Sequence, residues 1–131
     1  MTKDPEKSLE QVISEDGRYS PAAFAFLREG LAKAVKDIHG QEEGPAGQRH
    51  VSGQQLCLSL RDLAIERWGL LAKTVLVRWN VRETVDFGNM VYLLVNHGFM
   101  KKTDEDSLED FRSVYTFGEA FAYKNNFELK E

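Results

Sequence analysis

Apolar residues recur at helical spacing through much of the chain. Phe24, Leu27, Leu31, Ala34, Val35 and Ile38 stand three and four apart, which predicts an amphipathic helix over 20–39. Ser20-Pro21 is a helix start: a serine accepts from free backbone amides, and a proline at the first helical position loses no needed hydrogen bond. Tyr19 and Phe24 are spaced for a hydrophobic staple, and Gly40 offers a left-handed stop. Ser52-Gly53-Gln54-Gln55 has the form of a capping box and opens a second helix, 52–68. One face of that helix carries Leu56, Leu60, Leu63 and Ala64; Cys57, Leu58 and Ile65 widen it, and Gly69 breaks the helix. The pattern 70–79 fits either state. Leu71, Val75 and Leu76 suit a helix, while Thr74-Val75-Leu76-Val77 is β-branched enough for a strand; its place between two helices with short links favours helix.

After a turn at 80–83, Thr84 is expected to cap a helix over 84–97, with Asp86 in its first turn and Phe87, Val91, Leu94 and Val95 as its buried stripe. Gly98 closes it. Residues 99–103 and 111–117 then read as two strands, the second with Phe111, Ser113, Tyr115 and Phe117 on one face. Thr116-Phe117-Gly118-Glu119 opens a short helix reaching about Lys124. The predicted fold class is mainly α (α+β): a winged-helix-like helix-turn-helix core with a two-stranded β-hairpin and an extra N-terminal helix. Residues 1–18 are expected to be a partly ordered N-terminal segment with a helical turn near 8–13. Residues 40–50, GQEEGPAGQRH, read as a flexible loop, and 125–131 as a frayed tail.

The length of 131 residues suits one domain, 1–131, with a single core. One cysteine, Cys57, excludes an intramolecular disulfide and fits a reducing compartment. The polar N-terminus, MTKDPEKSLEQ, is unlike a secretory signal. No apolar run approaches the roughly 20 residues of a membrane span, so a cytoplasmic location and no membrane contact are expected.

Charge changes the meaning of the wing. The net charge is -4, which gives no general attraction to nucleic acid. The helix over 84–97 contains no lysine or arginine. Its outward stripe would be Asp86, Asn89, Leu93 and Asn96, with Glu83 and Asp86 where phosphates would lie. In the wing, Asp104, Glu105, Asp106, Glu109 and Asp110 outnumber Lys101 and Lys102. Phosphate contacts supply most protein–DNA affinity, and this surface opposes them. The expected partner is therefore a protein met by those five acids. The alternative is a nucleic-acid-binding transcriptional regulator contacting through Arg78, Arg82, Lys101 and Lys102, with Lys73 nearby in sequence.

Catalytic and metal patterns were sought along the chain. His39, His50, His97 and Cys57 share no short ligand motif. An EF-hand starting at Asp104 fails, because Leu108, Glu109 and Tyr115 stand at its fifth, glycine and bidentate positions. Cys57 lies on an apolar helix face, Gly-x-Ser-x-Gly is absent, and Gly40, Gly44 and Gly47 are not followed by Lys-Ser or Lys-Thr. The expectation is a non-enzymatic chain with no cofactor and no metal.

The segments RYSPAAFAFLREGL, HVSGQQLCLSLRDLAIERWGLLAKTVL, ETVDFGNMVYLLVNHGFMKKTDEDSLEDFRSVYTF and the following EAF resemble a family of small uncharacterised bacterial proteins. The likeness spans roughly residues 10–123. Its most specific parts are the Asp86-Phe87-Gly88 helix start and the stretch from Lys102-Thr103 to Asp110-Phe111. The resemblance implies a bacterial, cytosolic, single-domain protein and assigns no functional residue.

Overall fold

The computed structural model describes residues 8–39, 51–100 and 107–122. The helices are α1 (Leu9–Asp16), α2 (Pro21–His39), α3 (Gly53–Trp68), α4 (Ala72–Arg78), α5 (Thr84–Asn96) and the single turn α6 (Phe117–Ala120). Two 3-10 segments join them: Gly69–Leu71 between α3 and α4, and Leu108–Phe111 before α6. Among the described residues no helix is long and apolar enough to cross a membrane.

Capping chemistry sets most of the boundaries. Ser52 accepts from the Gln55 amide at 3.1 Å, and Gln55 Oε1 accepts from the Ser52 amide at 3.0 Å, which closes the expected box at the start of α3. The Ser20 hydroxyl accepts from the Ala22 amide, and Thr116 accepts from Glu119 at the start of α6. The N-terminal segment goes further than the helical turn expected there. Ser8 and Gln11 form a reciprocal capping box, and Gly17 ends α1 in the left-handed conformation at φ 75°. Both ends of α1 are satisfied, and Val12 and Ile13 are buried.

The mainly α reading is supported; the β-hairpin is not. Among the described residues no strand forms. Phe99 and Met100 lie in a bend after α5, and residues 101–103, the rest of the first expected strand, lie outside the described chain. The second expected strand is instead the end of the Leu108–Phe111 3-10 helix, a turn through Ser113 at φ 52°, a short extended link, and α6. Phe111 and Phe117 are buried, while Ser113, placed on the same face by alternation, is exposed. The aromatic side chains of this segment pack on helices rather than on a partner strand. The last helix ends at Ala120, a single turn short of the expected reach to about Lys124, with Phe121 already in a turn. The loop 40–50 and the tail 125–131 lie outside the described residues.

The core is shared by all the longer helices. Phe24 and Leu27 of α2, Leu60 and Ala64 of α3, Leu76 of α4, and Phe87, Met90 and Leu94 of α5 are nearly inaccessible. Helices α2 and α3 approach closely at Gly30, where an added Cβ would run into the Leu60 side chain. The Leu108–Phe111 3-10 helix is held between α3 and α5 at two further glycines. A Cβ on Gly53 would come within 2.8 Å of Phe111 Cε2, and one on Gly88 within 2.7 Å of Phe111 Cγ. The Phe111 ring therefore lies directly against two bare helix backbones.

Truncating Phe111→Ala should cost about 3–5 kcal/mol in urea-unfolding measurements. Gly88→Ala alone should destabilise by about 1–3 kcal/mol through overpacking. In the Phe111→Ala background the same alanine should cost less, because the ring atoms it meets have gone and only the end of the flexible Leu108 side chain remains; an additive double-mutant cycle would contradict the wedge.

Candidate docking surfaces

The start of α5 is held by a polar knot rather than by the expected Thr84 cap. Glu83 is the N-cap residue, and the Asp86 carboxylate accepts from the Arg82 amide at 2.8 Å and the Glu83 amide at 3.1 Å. The same carboxylate accepts a 2.6 Å bond from the Tyr19 hydroxyl, and Asn89 Nδ2 donates to that hydroxyl at 3.1 Å. Burial, then the bond to Asp86, push the Tyr19 phenol up to about 12. Arg18 stacks over the Tyr19 ring and pairs with Asp16. Thr84 is fully buried and works elsewhere: its hydroxyl donates to the Phe111 carbonyl at 2.7 Å and accepts from the Val114 amide at 3.2 Å.

These contacts cover the helix that a groove-reading role would need free. From Thr84 to Val95 every residue of α5 is buried or half-buried, and Asn96 is the first exposed one. Tyr19 covers Asp86 and Asn89, and Leu108 with Phe111 covers Gly88. A shallow cleft of about 430 Å³ remains on this side, lined by Arg18, Asn89, Tyr92, Leu93 and Asn96, with Ser107 and Leu108 on its far wall. Its polar groups are largely engaged within the protein: Arg18 by Asp16, Asn89 by Tyr19, and Ser107 by the Glu109 amide.

Only part of the set of residues proposed from the sequence lies within the described chain. Glu109 is exposed and pairs with Arg112 at 3.1 Å. Asp110 is half-buried, with its Cβ against the start of α3. Asp104, Glu105, Asp106, Lys101 and Lys102 lie outside the described residues. Arg78 is exposed at the end of α4, whereas Arg82 stands before α5 with its Nε donating to Asn80 Oδ1 at 3.2 Å. Among the described residues no group of three or more His, Cys, Asp or Glu side chains could hold a metal ion. Cys57 is fully buried, and desolvation raises its thiol to about 12.

A different surface stands out. Leu70 and Leu71 in the 3-10 turn are 56% and 62% exposed. They follow Trp68, which meets Trp79 edge to face and Phe26 at a tilt, at ring separations of 5.4 and 5.0 Å. Both tryptophans are half-buried. The sequence pattern favoured a helix over 70–79, with Leu71 in its apolar set, after a break at Gly69. Gly69 ends α3 as expected, and the tight 3-10 turn after it leaves two adjacent leucines exposed instead of in the core. Comparison with protein-family models, curated proteins and solved structures yields no match.

The buried phenol and thiol give a pH dependence with a definite sign. Above pH 9 to 10 the unfolded chain loses protons from Cys57 and Tyr19 that the folded chain retains to about 12. Their contribution to stability is complete below the unfolded values and lost as pH rises through the folded ones. Denaturation midpoints should therefore fall from pH 9 to 12, and Tyr19→Phe should flatten the part of that decline above pH 10.

Proposed function

We propose that this chain is a non-catalytic protein-interaction module acting in the cytoplasm, and that Leu70, Leu71 and the adjoining tryptophan edges form its docking surface. The observation that carries this reading is the pair of adjacent leucines exposed on a short, well-anchored turn. A large exposed apolar pair beside half-buried tryptophans is the composition of an interface centre, where aromatic and aliphatic anchors carry most of the binding energy. The anchoring supports the reading as well. Helices α3 and α4 flank the turn, and the aromatic cluster beneath it reaches α2, so little ordering would oppose association. The lone cysteine and its burial are compatible with a reducing compartment.

A nucleic-acid-binding role is less well supported. Helix α5 would have to shed Tyr19 and the Leu108–Phe111 segment before it could enter a groove. The acids Asp104, Glu105 and Asp106 remain an alternative docking element for a basic partner, on sequence grounds.

Immobilised wild-type chain should recover a partner from bacterial extract, and Leu70→Ser with Leu71→Ser should abolish that recovery while leaving the unfolding midpoint within about 0.5 kcal/mol of wild type, as exposed substitutions usually do. If the leucine variant keeps its partners and replacement of Asp104, Glu105 and Asp106 by lysine loses them, the acidic element is the docking surface instead.

A further inference from the structure

The charges around the exposed leucines bear on what kind of partner would cover them. Residues 63–82 hold four of the 17 lysines and arginines and one of the 21 acids, which leaves 13 against 20 in the rest of the chain. Within that stretch Arg67 is neutralised by Glu29 across the α2–α3 contact. Lys73 and Arg78 are exposed, and no ion pair joins either to another described residue. Ala72 and Leu76 point α4 into the core. Lys73, Thr74 and Arg78 are its exposed residues, with Val75 and Val77 half-buried between them. Residues three, four and seven apart share a helix face. Leu71, Thr74, Val75 and Arg78 therefore run along one stripe, with Leu70, Lys73 and Val77 beside it.

We propose, on the reading that this face docks a protein, that its occupant is an acidic amphipathic helix of another protein. Its apolar stripe covers Leu70, Leu71 and the tryptophan edges, and flanking carboxylates meet Lys73 and Arg78. The helical form follows from what the surface lacks. Among the described residues no strand edge offers backbone donors and acceptors to an extended peptide. A segment packed on this apolar side-chain surface must satisfy its own backbone, and a helix does so. The acidity follows from two cations, unpaired among the described residues, placed next to the apolar centre, where a facing carboxylate gains attraction and a facing lysine is repelled. Nucleic acid gives the two leucines nothing apolar to cover them. A broad anionic membrane would face the seven-acid excess of the remaining chain as well as the two cations. A single helix touches the basic face alone.

The test uses the full chain and two synthetic peptides that share a leucine stripe at helical spacing. One is flanked by glutamates and the other by lysines. Fluorescence anisotropy should show the glutamate peptide binding at least tenfold more tightly, and this preference should weaken as salt rises. Lys73→Glu with Arg78→Glu should reverse the preference, which a merely unfolded variant would not do. Leu70→Ser with Leu71→Ser should weaken both peptides. Equal binding of the two peptides would overturn the acidic assignment while leaving the docking face in place. If neither peptide binds although the leucine variant loses its recovered partners, the helical acidic occupant is wrong and the docking reading survives. Two further results would overturn the proposal. One is tighter binding to duplex DNA or to phosphatidylserine vesicles, abolished by the same charge reversal. The other is concentration-dependent self-association, abolished by the leucine substitutions.

Discussion

Phe111 reaches the backbones of α3 and α5 at once because Gly53 and Gly88 carry no side chain in its path. An aromatic ring in contact with two bare helices sets their separation more tightly than flexible side chains would, since a backbone cannot change rotamer to make room. The Thr84 hydroxyl then fixes the chain on either side of the turn by bonding the Phe111 carbonyl and the Val114 amide. From there the segment runs into a second aromatic group, in which Tyr115, Phe117 and Phe121 lie 5.4 to 6.4 Å apart and Phe87 of α5 joins at 6.3 Å. The Tyr115 hydroxyl donates to the Cys57 carbonyl on α3. The C-terminal part of the described chain therefore behaves as a strap seated in the α3–α5 groove, and the groove exists because two positions in it are glycine.

The same seating bears on function. In a helix-turn-helix reader the second helix must leave one side open. Here the strap and Tyr19 both pack on α5, and what stays open is the shallow cleft lined by Asn89, Leu93 and Asn96. Apolar exposure concentrates at the opposite junction, where α3 hands over to α4.

Much of the helical architecture was legible. Starts with a strong capping signal, at Ser20-Pro21 and Ser52 to Gln55, appear where the pattern put them, because a cap is a local interaction and needs no distant partner. The Ser8 and Gln11 box is equally local, and a fuller use of that rule would have given α1 its true length. The strap was misread for the opposite reason. Aromatic residues at every second position describe a half-buried strand, but they also describe an irregular chain whose rings drop into a helical groove. Only the partner surface distinguishes the two, and that surface comes from Gly53 and Gly88, far away in sequence. Thr84 shows a related limit. Its type and position suit a cap, yet its hydroxyl serves a segment 27 and 30 residues downstream while Glu83 and Asp86 manage the helix end. Leu71 was counted with the apolar pattern of 70–79 although it is exposed, because apolar spacing alone does not say which side of a broken helix faces the solvent.

The chain's two tryptophans sit in one cluster, edge to face at 5.4 Å, immediately before and after the segment that carries Leu70 and Leu71. Two indoles that close share their excited state, so their near-ultraviolet circular dichroism is a coupled signal from one place rather than an average over the molecule. The protein thus carries an optical reporter at the α3–α4 junction, built from its natural residues, that registers how the two helices sit relative to each other.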